Sequence, residues 1–142
     1  MGQHEPGATT SADMVTSARR LVDNLEPDEL EIELSNGVVL VDIREEDELR
    51  SHGWIPNSIW APRGMLEFWA DVMSSDRRDE FDPESRIILY CASGSRSALA
   101  GETLRRLGYR SVAHLDGGLK AWKTSGRSVE PAQYEEEGEG KQ

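Results

Sequence analysis

The chain of 142 residues contains one cysteine, in the run Ile87-Ile88-Leu89-Tyr90-Cys91-Ala92-Ser93-Gly94-Ser95-Arg96-Ser97-Ala98-Leu99-Ala100. A short apolar, β-branched run stops at Cys91, and a Gly/Ser loop then turns into an Ala/Leu-rich helix. A thiol at a strand end that faces a helix start meets unpaired backbone N–H groups and the positive pole of the helix. Both favour the thiolate, the form that attacks. A lone cysteine is otherwise a small buried hydrophobe, but these surroundings point to a nucleophile.

The elements that must position Cys91 follow from periodicity. Val38-Val39-Leu40-Val41 and Ile87-Ile88-Leu89-Tyr90 are continuous apolar runs, the pattern of strands covered on both faces. Val112-Ala113-His114-Leu115 is a shorter third, and Ser58-Ile59-Trp60-Ala61 a weak fourth. Helical stretches lie between them. Met65, Leu66, Trp69 and Met73 form one, and Ala98 to Leu107 another, with Gly108 as its glycine cap. Pro27 suits the first turn of a further helix, with Asp28 and Glu29 at its start and Asn36-Gly37 at its end. Upstream, Met14, Ala18, Leu21, Val22 and Leu25 share one stripe and predict a helix over 11–25. Strands alternating with helices predict an α/β fold with a parallel sheet. Ligands of such sheets sit beyond the carboxyl ends of the strands, where Cys91 lies.

Composition narrows the classes. The length suits one domain. The net charge of −11 argues against nucleic acid, whose binding needs clustered Lys and Arg. There is no run of 18 apolar residues and no signal-peptide pattern, so a soluble cytoplasmic protein without membrane contact is expected. One cysteine excludes an internal disulfide and a self-contained dithiol cycle, so a second thiol must come from outside. Residues 1–10 read as a flexible leader. Glu130, Glu135, Glu136, Glu137 and Glu139 mark 128–142 as an acidic, disordered tail. His4, His52 and His114 lack metal-ligand spacing with Cys91, so no metal is expected.

Four blocks, taken in order, resemble the single-domain rhodaneses, a sulfurtransferase family. Leu40-Val41-Asp42-Ile43-Arg44 resembles the D-x-R segment that closes an early strand. Gly53-Trp54-Ile55-Pro56-Asn57-Ser58 resembles the loop usually read G-H-I-P-G-A. Cys91 to Ser97 resembles C-x-x-G-x-R-S, and Leu115-Asp116-Gly117-Gly118-Leu119-Lys120-Ala121-Trp122 resembles the closing L-x-G-G-x-x-x-W block. The resemblance covers about 25–127. It implies a three-layer sandwich with a central, mostly parallel five-stranded sheet and helices on both faces. The N-terminal helix is an addition, a candidate for docking a partner or forming a homodimer.

The resemblance also implies a mechanism. Cys91 attacks the outer sulfur of a donor such as thiosulfate, becomes a persulfide, and passes that sulfur to cyanide, a thiol or a protein thiol. No cofactor is needed. A thioredoxin-like or carrier protein is an expected acceptor. Within the loop, Gly94 lets the backbone bend so that N–H groups form an anion nest. Ala92, Ser93 and Ser95 leave room for one extra sulfur. Arg96 either contacts an anionic donor or holds the loop, and Ser97 either caps the next helix or contacts substrate. The alternatives are a non-catalytic rhodanese-like binding module and a cysteine phosphatase or arsenate reductase. The latter two have five residues between Cys and Arg, with His before the Cys; here there are four, with Tyr90 before it.

Three departures matter. Glu48 stands where two-domain relatives place a thiosulfate-holding Arg, the stretch 48–53 is one residue longer than usual, and Trp54 replaces the common His. Asp42 and Arg44 are expected to be structural. Arg44 would brace a loop through carboxylates such as Glu48, and Asp42 would accept backbone N–H bonds. Arg63 is a candidate to line the site mouth and supply the cation missing at Glu48. His114 is expected to be a hydrogen-bonded core or edge histidine rather than a general base, and Trp122 to pack the last helix on the sheet.

Overall fold

The computed structural model describes residues 7–135. Five strands form one sheet: β1 (Asp23–Leu25), β2 (Val39–Asp42), β3 (Ile59–Trp60), β4 (Arg86–Tyr90) and β5 (Ser111–Leu115). Their spatial order is β1-β5-β4-β2-β3, and every pairing is parallel. The helices are α1 (Ser11–Arg19), α2 (Pro27–Leu34), α3 (Glu46–His52), α4 (Leu66–Ala70), α5 (Ser95–Arg106) and α6 (Gly118–Thr124), with a 3₁₀ turn at Arg63–Met65.

The alternation of β4 splits the core in two. Ile87, Leu89 and Cys91 enter one apolar cluster with Leu66, Trp69 and Leu104 of α4 and α5. Ile88 and Tyr90 enter the other with Leu30 of α2 and Leu119 and Trp122 of α6. A strand apolar from Ile87 to Tyr90 is thus buried on both faces over that run, and Trp122 does pack the last helix onto the sheet.

The N-terminal helix is shorter than its stripe predicts. Thr10 caps α1, its Oγ1 accepting the Asp13 N–H at 3.0 Å. The helix stops at Arg19, Leu21 N–H turns back to Ala18 O at 2.9 Å, and 23–25 become the edge strand beside β5. Val22 and Leu25 stay apolar-facing in this arrangement. Val22 lies so close to Gly101 that a Cβ there would sit 2.8 Å from its Cγ1, and Leu25 pairs with Leu115. A helix stripe and a turn followed by a strand share those positions, so spacing cannot separate them.

The acidic tail also begins later than expected. Trp54 and Glu130 exchange both backbone hydrogen bonds, Trp54 N–H to Glu130 O at 2.9 Å and the reverse at 3.0 Å. Tyr134 packs edge-on against Trp60 and Trp54. Residues 128–135 are therefore a packed strap, while Glu136, Glu137 and Glu139 lie outside the described residues, as does 1–6 of the leader.

At the end of β2 the expected role of Arg44 needs correction. Its guanidinium does not reach the Glu48 carboxylate. It forks onto Asp42, Nη2 to Oδ2 at 2.7 Å and Nε to Oδ1 at 3.0 Å, and donates to Gly53 O at 2.6 Å. Asp42 accepts the Arg44 backbone N–H at 3.0 Å, as anticipated. Both side chains are almost wholly buried, at 0% and 1% exposure. Two charges out of water persist only when they satisfy each other. Arg44→Ala would strand the Asp42 carboxylate, with an expected loss of about 3–5 kcal/mol. Denaturant unfolding measures it. Arg44→Lys is expected to recover little, because a point charge cannot make both contacts.

Candidate active site

Cys91 follows β4 directly. The chain then bends through Ala92 and Ser93 to Gly94, whose φ of 107° marks the left-handed region, and α5 begins at Ser95. Gly94 is the N-cap residue and has no side chain to accept the orphan N–H groups of the helix. The sulfur takes that place. Cys91 Sγ accepts the Gly94 N–H at 3.2 Å and the Ser97 N–H at 3.3 Å. Ser97 Oγ lies 3.5 Å from the same sulfur. The thiol is 1% exposed, yet polar donors converge on it.

The other side of the loop is held by the start of α6. Leu119 N–H bonds Cys91 O at 2.9 Å and Lys120 N–H bonds Ala92 O at 3.0 Å. The approach is close enough to require glycine. A Cβ on Gly118, at φ 64°, would fall 2.5 Å from the Ala92 carbonyl. Ala92 is half-buried, while Ser93 and Ser95 lie at the surface.

Arg96 turns away from the sulfur to Glu48 of α3, donating through Nη1 at 2.9 Å and Nη2 at 2.8 Å to its two carboxylate oxygens. Those bonds hold the Glu48 carboxyl down at about 2 and raise the guanidinium further. Glu48 is thus the partner of the loop arginine. Arg63 is not at the mouth. It pairs with Glu67 at 3.0 Å and reaches Thr103 Oγ1 at 3.0 Å, and Thr103 lies six residues beyond Ser97, about 9 Å along the helix axis. Nor does Ser97 cap α5: it sits inside the helix at its third residue.

Ser97 belongs to a buried polar chain. Its Oγ lies 2.7 Å from His114 Nδ1, and His114 Nε2 lies 2.7 Å from Asn24 Oδ1. Asn24 is the register partner of His114 across β1 and β5. Its Nδ2 donates to Arg19 O and Val22 O, which turns Oδ1 toward the ring. Burial presses the imidazole down to about 4, with Asp116 pulling it up and Arg19 opposing. The expectation of a hydrogen-bonded core histidine holds, but its link to Ser97 escaped the sequence. Residues 24, 97 and 114 share no local spacing; strand pairing joins 24 to 114, and the packing of α5 on β5 brings in 97.

A cysteine at the carboxyl end of a parallel strand, capping the following helix, defines an α/β protein with a cysteine loop. Comparison with protein families matches residues 26–125 to the Rhodanese-like domain. The chain belongs to that family. It is 33% identical over 92 residues to a sulfurtransferase of Allochromatium vinosum, covering 65% of this chain and 78% of that protein. It is 30% identical over 95 residues to a mouse thiosulfate sulfurtransferase/rhodanese-like domain-containing protein, covering 63% of this chain and 60% of the other. Among solved structures, a Rhodopseudomonas palustris protein of unknown function, described as a possible tyrosine phosphatase, superposes with a TM-score of 0.82. That match is 35% identical and covers 91% of this chain and all of the other.

The buried imidazole sets a pH signature. With no anion beside the ring, the unfolded chain binds a proton at His114 from 6.5 down to about 4 that the folded chain refuses. Stability therefore falls as pH drops through that window, by about 3 kcal/mol in all. Glu48 acts lower, between 4.5 and about 2. In a Cys91→Ser background, where the thiol takes no part, His114→Gln is expected to flatten the stability curve between pH 6.5 and 4. Urea unfolding at several pH values measures it.

Proposed function

We propose that this chain is a sulfurtransferase that carries sulfane sulfur as a persulfide on Cys91. The observation that supports this most is the sulfur itself, at a strand end and accepting the Gly94 and Ser97 N–H groups. The Cys91 thiolate attacks the outer sulfur of a donor such as thiosulfate. A new S–S bond forms, the donor's S–S bond breaks, and sulfite leaves with its electron pair. An acceptor thiolate or cyanide then attacks the outer sulfur of the persulfide and Cys91 leaves as thiolate. No net oxidation of the protein occurs. The acceptor in the cell is a small thiol or the thiol of a thioredoxin-like or carrier protein.

The same loop disfavours phosphoryl chemistry. Four residues separate Cys91 from Arg96, and the guanidinium is engaged by Glu48 rather than turned over the sulfur. A thiol that is 1% exposed admits a single terminal sulfur more readily than a tetrahedral phosphoryl group. Beside the loop, a cavity of about 270 Å³ is lined by Ala92, Leu119, Lys120, Lys123 and His52, together with Arg44 and Glu48, whose charges are taken up by Asp42 and Arg96. Its two lysines supply the positive charge that Arg96 has given to Glu48, and suit an anionic donor.

Incubation with a panel of thiosulfate, organic persulfides and polysulfide, read by intact mass, is expected to add one sulfur to the wild type and none to Cys91→Ser. A wild type that gains no sulfur from any of these donors would overturn the proposal. Replacing Lys120 and Lys123 together by Ala is expected to raise KM for thiosulfate about 10-fold, roughly the 1.4 kcal/mol of one lost charge-assisted contact. Steady-state assays that leave kcat near the wild-type value would place the lysines in donor binding.

A further inference from the structure

We propose that Ser97, His114 and Asn24 form a proton relay that withdraws the proton of Cys91, so that the resting nucleophile is a thiolate paired with a buried imidazolium. This rests on Cys91 being the nucleophile of the proposed reaction, and adds residues that the cysteine loop alone does not contain.

The hydrogen bonds fix the direction of the relay. Asn24 spends both amide protons on Arg19 O and Val22 O, at 2.9 and 3.2 Å, so its Oδ1 can only accept. The His114 nitrogen 2.7 Å from that oxygen must therefore carry the hydrogen. This places the ring in the Nε2–H tautomer and leaves Nδ1 as the acceptor. Ser97 has one proton and three acceptors in reach, Cys91 Sγ at 3.5 Å, Gly94 O at 3.2 Å and His114 Nδ1 at 2.7 Å, and the shortest contact takes it. The remaining lone pairs of Ser97 Oγ face Cys91 Sγ at 3.5 Å. The chain thus points one way, from thiol to hydroxyl to imidazole.

In the transfer the Sγ–H bond breaks and its proton joins Ser97 Oγ, while the Ser97 proton forms a bond to His114 Nδ1. No electrons change hands and the net charge of the site is unchanged. Thiolate and imidazolium appear together. A lone imidazolium is disfavoured at this buried position, so the ring takes a proton only when an anion forms beside it. Charge around the pair supports this. Asp116, just beyond β5, and Arg19 of α1, the two charges that act on His114, are bonded to each other, so their fields largely offset. On the sulfur side the helix start faces the anion, and Arg96 is held by Glu48. His114 is the one buried base among the described residues that touches a partner of the nucleophile. Asn24, which orients it, comes from β1, ahead of the residues that match the family.

The test is the pH profile of Cys91 alkylation by iodoacetamide, which needs no sulfur donor. In Ser97→Ala and His114→Gln the midpoint is expected to rise by one unit or more, with alkylation at neutral pH about 10-fold slower. Ser97→Thr, which keeps the hydroxyl, is expected to match the wild type. The sign of the His114→Gln shift is decisive. Were Ser97 only a hydrogen-bond donor to the thiolate, removing its competing acceptor would lower the midpoint. Nitrogen NMR of the His114 ring is expected to show Nδ1 protonated together with the wild-type thiolate, and neutral near pH 7 in Cys91→Ser. Profiles that superpose in variants folded by circular dichroism, or a ring that stays neutral while the thiol ionises, would overturn the relay. A shifted midpoint in a protein that accepts no sulfur would leave the relay standing and remove the transfer function instead.

Discussion

The structure turns on one substitution of roles, a sulfur atom standing where a helix normally has a capping side chain. Helix α5 begins at a glycine, so its first amide protons must find an acceptor or lose the hydrogen bonds that water would give them. Cys91 Sγ is that acceptor, through the Gly94 and Ser97 N–H groups. The contact that finishes the helix is therefore also the one that directs two N–H dipoles at the sulfur. On one side the thiol packs in an apolar cluster with Leu89 and Leu104, and the polar donors lie on its other side.

Everything around the loop serves to keep that geometry. Gly94 supplies the left-handed turn, Gly118 lets α6 approach the Ala92 backbone, and the first amides of α6 hold the Cys91 and Ala92 carbonyls outward. A strand end, a helix start and a second helix start meet at one point, and glycine stands at each place where a Cβ would prevent it. At the opposite wall Glu48 of α3 anchors Arg96. The departure from the family pattern at Glu48 is thereby accounted for: an acid there closes an ion pair with the loop arginine. It also engages the loop's own cation, and leaves Lys120 and Lys123 as further positive charge beside the loop.

Local signals were enough for the cysteine loop, the strands β2, β4 and β5, the glycine stops and the parallel α/β class. Each is a short-range property: an apolar run, a residue that alone tolerates a positive φ, a change of period. The features that escaped are those that two distant segments create together. Helix α3 is not legible because only Leu49 is buried along it, which leaves no apolar stripe to mark it. The stripe 11–25 hid a turn and an edge strand, because Val22 and Leu25 face the core in either conformation. Tyr134 gave the tail an aromatic anchor amid glutamates, and its partners Trp54 and Trp60 lie about 80 residues away. Arg44 is legible as a cation that braces a loop through a carboxylate, but that the carboxylate is Asp42 depends on tertiary placement. So does the position of Arg63, on Glu67 and Thr103 rather than at the site mouth.

The N-terminal addition shows the same principle in its chemical form. Helix α1 lies against α5, Arg19 meets Asp116, and the turn after α1 presents two carbonyls to the amide of Asn24. That amide has one free choice, its oxygen, and the β1–β5 register aims it at His114. An edge strand of three residues would contribute little to the stability of a sheet by itself. Its value is orientational. It settles which nitrogen of a buried ring holds the proton, that ring settles where the Ser97 proton points, and Ser97 settles what the sulfur sees. Without β1 the ring could take either tautomer, and with the hydrogen on Nδ1 the hydroxyl proton would turn toward Gly94 O or the sulfur, leaving the thiol no base through which to lose its own.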